Sequence, residues 1–227
     1  MHLFQTFVRY PFWLLFMMLF SVETVAQTPN IQGLLKKMES AYAQVTDYQA
    51  KMEVRTYSND HSSKAEKFLY TFKKPKKIRL DIESPYPGMI LVYPDHKGKV
   101  GVRPSGWARF ITLSLAPDSF LLKVSSGQPI DQTDMGLLIK NISKSLTDEQ
   151  YSRPELEEEE TTIRIQVLAE NHFRKGVRTR YEFLIDKMKW LPIEVREYTP
   201  DKVLERQVIF RDLRVNIGVK DSFFQLK

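Results

Sequence analysis

Residues 68–95 read FLYTFKKPKKIRLDIESPYPGMILVYPD, and three consecutive strands are legible in them. Phe68, Tyr70 and Phe72 alternate with Lys67, Leu69 and Thr71. Lys73-Lys74-Pro75-Lys76-Lys77 breaks the pattern, and Ile78, Leu80 and Ile82 resume it against Arg79, Asp81 and Glu83. A period of two with one dry and one wet side marks a strand in a sheet covered on one face. A third run, Met89–Tyr93, follows at the spacing of an antiparallel meander.

Working outward, the same period holds upstream, where Tyr48, Ala50, Met52, Val54 and Thr56 alternate with Gln49, Lys51, Glu53 and Arg55. Before them Ile31, Leu34, Leu35, Met38, Ala41, Tyr42 and Val45 fall on one helical face, with Thr28 read as the cap and Pro29 as the first helical residue. Downstream, Lys99–Arg103 and Trp107–Leu113 read as further strands across turns at Pro94–Gly98 and Pro104–Gly106. Two short helices are predicted next. Asp118 or Ser119 would cap one through Phe120, Leu121, Leu122 and Val124; Met135, Leu138, Ile139, Ile142 and Leu146 space the other. Glu155 and Glu157–Glu160 read as a solvated acidic loop. Strands return at Ile163–Val167, Val177–Ile185, Ile193–Val195 and Val203–Val215, about ten in all. No strand–helix–strand alternation, fixed-period repeat or interdomain linker is present.

The first 26 residues stand apart: an unbroken apolar run from Phe12 to Phe20 leads to Thr24-Val25-Ala26, the pattern of a secretory signal cut after Ala26. The run is short of the roughly 20 residues a spanning helix needs. The expected organisation is therefore a signal peptide over 1–26 and one domain over 27–227, exported to the periplasm. Lys and Arg number 34 against 28 Asp and Glu, a net charge of +6. The leader holds one residue of each sign, Arg9 and Glu23, so the excess belongs to the exported part. There it favours solubility and attraction to anionic headgroups, and nucleic acid is not an expected partner. With no cysteine in the chain, disulfides, thiolate metal sites, cysteine nucleophiles and a lipidated N-terminal cysteine are excluded.

The strand faces carry the functional reading. About ten strands, each with three or four bulky inward side chains, are covered by only a few helical turns. A strongly curved sheet with helices across its mouth would enclose an apolar cavity suited to an acyl chain, since each buried CH₂ gains roughly 0.8 kcal/mol. The alternative is that the inward side chains meet and leave no cavity. Alternation tells which residues are dry, not whether a ligand keeps them so.

The stretch 68–95 resembles the corresponding segment of the LolA/LolB superfamily of periplasmic lipoprotein and lipid carriers, in which a strand ends in a basic-basic-Pro turn. The helix Ile31–Val45 followed by Asp47-Tyr48 is similar to that family's opening, and Asp221-Ser222-Phe223-Phe224-Gln225-Leu226 to its ending. The resemblance implies a mainly β (α+β) fold, a curved antiparallel half-barrel sheet with a helical lid over a hydrophobic cavity. It implies lipid-binding residues Tyr70, Phe72, Ile78, Leu80, Ile82, Ile90 and Val92, joined from the second half by Tyr181, Phe183, Ile193 and Val195. It implies a lid built on Leu34, Leu35, Met38, Leu121, Leu122, Leu138 and Ile139. In the lipoprotein carriers the second basic residue before the proline is an arginine that latches the lid; Lys74 stands there in this chain, and a lysine lacks the planar fork of a multi-donor latch. The partners implied are lipid or lipoprotein acyl chains and membrane-associated donor and acceptor proteins, with the carrier a monomer and no cofactor. The other reading with this fold is an envelope interaction or lipoprotein-sensing module that carries no cargo.

Catalysis finds little support. His61, His96 and His172 each fall in a predicted turn, with no helical zinc pair and no G-x-S-x-G elbow. Asp81 and Glu83 share the wet face of their strand.

Overall fold

The computed structural model describes residues 30–58, 62–119, 122, 129–148, 150 and 153–226. The alternating runs become β1 (Asp47–Tyr57), β2 (Ser63–Lys73), β3 (Lys77–Ser84), β4 (Ile90–Tyr93), β5 (Val100–Arg103) and β6 (Leu113–Leu115). After the intervening helical segment come β7 (Glu155–Glu158), β8 (Thr162–Glu170), β9 (Arg178–Asp186), β10 (Leu191–Tyr198) and β11 (Leu204–Val215). All eleven form one sheet in the order β6-β5-β4-β3-β2-β1-β11-β10-β9-β8-β7, every pair antiparallel. Two meanders thus meet where β1 pairs with β11. Ladder irregularities at Gln49/Lys51, Pro192/Glu194 and Glu197/Tyr198 cluster around this junction. Bulges of this kind bend a strand and raise its twist. In β11 the bulge, with Asp212 at φ +53°, moves the inward side chains from Val208 and Phe210 to Leu213 and Val215.

The connection from β6 to β7 crosses the concave face and carries α2 (Met135–Thr147), which packs on β8 and on the N-terminal helix α1 (Ile31–Ala43); α1 in turn reaches β10. Both helices are amphipathic at the expected spacing: Leu34, Leu35 and Met38 of α1 and Met135, Ile139, Ile142 and Leu146 of α2 are buried. The convex face is polar. There Glu182 receives Arg196 at 2.7 Å and Gln166 at 2.9 Å, and Arg79 grips Asp81 through two hydrogen bonds.

Several local expectations need correction. Helix α1 is capped by Asn30, whose Oδ1 accepts the Gly33 N–H at 2.7 Å, while Thr28 and Pro29 lie outside the described residues. Residues Gly106–Phe110 form a 3₁₀ turn rather than a strand, because Gly106 enters at φ +68° and turns the chain out of the sheet before β6. The acidic run is in part an edge strand: β7 pairs with β8 and turns the partly buried Leu156 inward, with Glu158 on Lys187 at 2.7 Å. The signal segment, His61 and most of the helix expected at 120–124 lie outside the described residues.

One strap has no counterpart in the strand reading. After β11 the chain crosses the convex side: Lys73 Nζ donates to the Val219 carbonyl at 2.8 Å, Lys73 and Lys77 clasp Asp221, and Arg79 donates to the Phe223 carbonyl at 2.8 Å. The two lysines hold the Asp221 carboxyl at about 2. Gly101 leaves room for the strap's end, since a Cβ there would stand 3.1 Å from Leu226 Cδ1 and 3.0 Å from Val92 Cγ2.

Candidate functional site

Two aromatic stacks stand on the concave face. On β1 and β2, Tyr48 stacks on Phe72 with ring centroids 5.0 Å apart and on Tyr70 at 5.7 Å. On β9, Tyr181 stacks on Phe183 at 5.4 Å and carries His172 at 4.2 Å. Between them, under α2, lies a cavity of about 80 Å³. Its floor is Met52, Val54, Phe68, Tyr70, Leu80, Val195, Val208 and Phe210 from the sheet; its roof is Leu137, Leu138 and Asn141 of α2 with residues 132–134 ahead of the helix. His172 and Phe173 close one side, and a Glu197–Arg206 ion pair is set into the wall.

The volume decides what the closed form can hold. An apolar cavity of roughly 150 Å³ takes one benzene. The space here is smaller, so the site as it stands holds at most part of a long acyl chain. The expectation of a poorly filled interior is therefore met only in part, because the aromatic stacks fill the two ends of the hollow.

The roof hangs on tyrosine hydroxyls. The first N–H of α2, from Met135, donates to Tyr48 Oη at 3.0 Å, and Tyr70 Oη shares a hydrogen bond with Thr133 Oγ1 at 3.3 Å. Burial pushes both phenols well above their usual range, so they remain neutral. The Asp134 carboxylate caps α2 by accepting the Leu137 N–H. The two helices touch at Gly136, where a Cβ would come within 2.5 Å of Tyr42 Cε1. Burial there, with Asp134 nearby, pushes the Tyr42 phenol up to about 12.

Of the residues named for lipid binding, Tyr70, Leu80 and Val195 line the cavity, and of the lid residues Leu138 does. Phe72, Tyr181 and Phe183 are buried on the same face as members of the stacks, Ile78 is buried opposite Phe72, none of the four lines the cavity, and Ile82 and Ile193 are partly buried against that core. Leu34, Leu35, Met38 and Ile139 bind the helices to each other and to the sheet; Leu122 is buried with them, and Leu121 lies outside the described residues. Ile90 and Val92 are on the other face. Leu91 pairs with Leu80, so its neighbours pair with Asp81 and Arg79 on the convex side, where they meet the strap rather than the cavity. The Pro-containing loop before β4 resets the parity by one residue, and such a slip flips every side chain. Met52, Val54 and Phe68 were legible as dry positions, whereas Glu197 and Arg206 were not, because charge at an inward register contradicts the pattern used to find the face. His172 is also corrected: it is a wall residue stacked on Tyr181, not a surface turn histidine.

No protein-family model and no curated protein matches the chain. Among solved structures it is similar to MucB, at TM-score 0.50 and 14% identity over 86% of this chain and 62% of that one. It is also similar to MucB in the Pseudomonas aeruginosa MucA/MucB complex (TM-score 0.49, 14% identity, 86% and 60% covered) and to the LolA superfamily protein NE2245 from Nitrosomonas europaea (0.38, 13%, 85% and 96%). An open antiparallel half-barrel with helices across its hollow is the architecture the 68–95 resemblance implied. The fold is similar to that of MucB. At these identities the likeness is one of fold alone, and the chain spans 62% of MucB's length.

Lys74, without an arginine's planar fork, still makes two hydrogen bonds to the end of α1. Its Nζ donates to the carbonyls of Tyr42 at 2.8 Å and Ala43 at 3.2 Å, and it lies 4.6 Å from the Tyr42 ring centroid. A point charge suffices because the last carbonyls of α1 converge, and the negative end of the helix dipole favours a cation there.

Proposed function

We propose that this protein is a carrier in the cell envelope that binds the acyl chains of lipids or lipoproteins between the concave sheet and α2. The observation that carries the reading is the apolar cavity under α2: its floor is sheet side chains, and its cover is tied at its N-terminal end by the Tyr48 and Tyr70 hydrogen bonds. Lifting that cover would draw the buried Ile139, Ile142 and Leu146 away from β8 and α1 and expose a trough that an alkyl chain refills, at roughly 0.8 kcal/mol per methylene. The proposed boundaries remain a leader over 1–26 and a binding domain over 27–227. Among the described residues no helix is long and apolar enough to cross a membrane, and no cluster of His, Asp or Glu could hold a metal ion.

Handover needs contact with a lipid surface. On the turn before β6, Trp107 is 87% and Phe110 82% exposed, and Arg109 stacks on Phe110 with Cζ 4.9 Å from the ring centroid. Aromatic side chains beside a guanidinium suit the interface of an anionic bilayer.

Purification without detergent, followed by native mass spectrometry and lipid extraction, tests the carrier reading: acylated molecules should leave with the protein. A second reading, a docking module without cargo, is favoured by one observation, that the fold is shared with MucB, a protein solved in complex with MucA. Persistent absence of lipid from folded protein would support that reading instead.

A further inference from the structure

Three polar residues cross adjacent strands in a single row on the concave face. Thr56 of β1 stands opposite Arg206 of β11, and Arg206 stands opposite Glu197 of β10. Arg206 Nη1 donates to Glu197 Oε1 at 2.9 Å, with the two side chains only 14% and 11% exposed, and both line the apolar cavity beside Val195, Val208 and Phe210. The Nε of Arg206 and the hydroxyl of Thr56 are buried and have no hydrogen-bond partner among the described residues.

An ion pair in such a wall does little for folding. Desolvating two charges offsets most of their attraction, and apolar residues of the same size would commonly do as well. A buried N–H left unpaired is a further cost. The arrangement makes sense if a ligand supplies the missing acceptor. The acceptor's chemistry is constrained, because Glu197 already neutralises Arg206. What remains at the cavity is one N–H donor in a site of no net charge, with the Thr56 hydroxyl next along the row. An ester or amide carbonyl satisfies the donor without bringing charge. A free carboxylate would add a third charge facing Glu197.

We propose that this row is the carbonyl subsite of the acyl pocket, so that the protein selects acyl esters or amides over free fatty acids. The inference rests on the carrier reading and adds the ligand class to it.

The test is a native mass spectrometry competition at pH 8 on the delipidated protein, with three probes of equal chain length: monododecanoylglycerol, N-dodecanoylglycinamide and dodecanoate. The ester or the amide should outcompete dodecanoate by about tenfold, the worth of one hydrogen bond to a charged donor. Whichever of the two binds more tightly points to a glycerolipid or an N-acylated protein as the source, and either supports the subsite. Arg206→Lys keeps a positive charge against Glu197 but deletes the Nε–H; it should bring the ester and amide to near parity with dodecanoate. The double variant Arg206→Gln/Glu197→Gln, which leaves no uncompensated charge, should fold and show the same parity. Equal or tighter binding of dodecanoate by the unmodified protein overturns the subsite, as does a full ester preference in Arg206→Lys. If none of the three probes binds, the carrier reading itself falls and the subsite with it.

Discussion

Lys74 and His172 show how single side chains set the state of the lid. Lys74 ties the end of α1 to the β2–β3 turn by two hydrogen bonds, so Lys74→Met should lower unfolding free energy by about 1 kcal/mol in urea titrations and speed lipid exchange, while Lys74→Arg should do neither. His172 shares a hydrogen bond with Ser145 at 2.7 Å and is held neutral, its pKa lowered from 6.5 to about 4 by burial and then by the charge of Lys144. Both states are neutral above pH 6.5. As the pH falls below that value the unfolded chain takes up the proton first, so stability drops between about 6.5 and 4 and then levels. The drop should reach about 3 kcal/mol, and His172→Gln should remove most of it, as read by denaturant melts at pH 7.5, 5.5 and 4. A histidine's place in a wall was not legible in the sequence, because a turn position says nothing of what the turn packs against.

At the scale of elements, the two faces of the sheet make separable predictions. Gly136→Val drives a branched side chain into the Tyr42 ring, so it should part α1 from α2, cost about 1–3 kcal/mol and loosen the lid. Phe224→Ala, on the convex side, should cost about 3 kcal/mol through its cavity and leave lipid affinity within twofold, since the strap and the pocket share no wall. Replacing Trp107 and Phe110 together by serine should lower cosedimentation with anionic vesicles severalfold and leave pocket occupancy unchanged. The strands themselves were legible because Tyr70, Leu80 and Phe183 obey a strict period. Ile90 and Val92 were misplaced because β4 is apolar on both faces: a run without alternation carries no parity. The strap was legible only as a resemblance in residues 221–226, since its hold depends on Lys73, Lys77 and Arg79, two and three strands away from β11 in the sheet.

For the whole molecule, the account is a balance between a hollow that the sheet's curvature creates and side chains that nearly fill it. Tyr48, Phe72, Tyr181 and Phe183 fill the ends, and about 80 Å³ remains beneath Leu138. A sequence specifies which residues face that hollow, but the residual volume depends on strand tilt and helix placement, which no local pattern encodes. The decisive measurement compares detergent-free protein with Leu138→Glu, a half-buried roof residue whose carboxylate would point into the cavity. Native mass spectrometry should find an acylated ligand on the unmodified protein and a bare, folded chain for the variant, because an unpaired charge in an apolar pocket is costly. Folded, unmodified protein that carries no lipid and takes up none when offered acylated ligands would contradict the account.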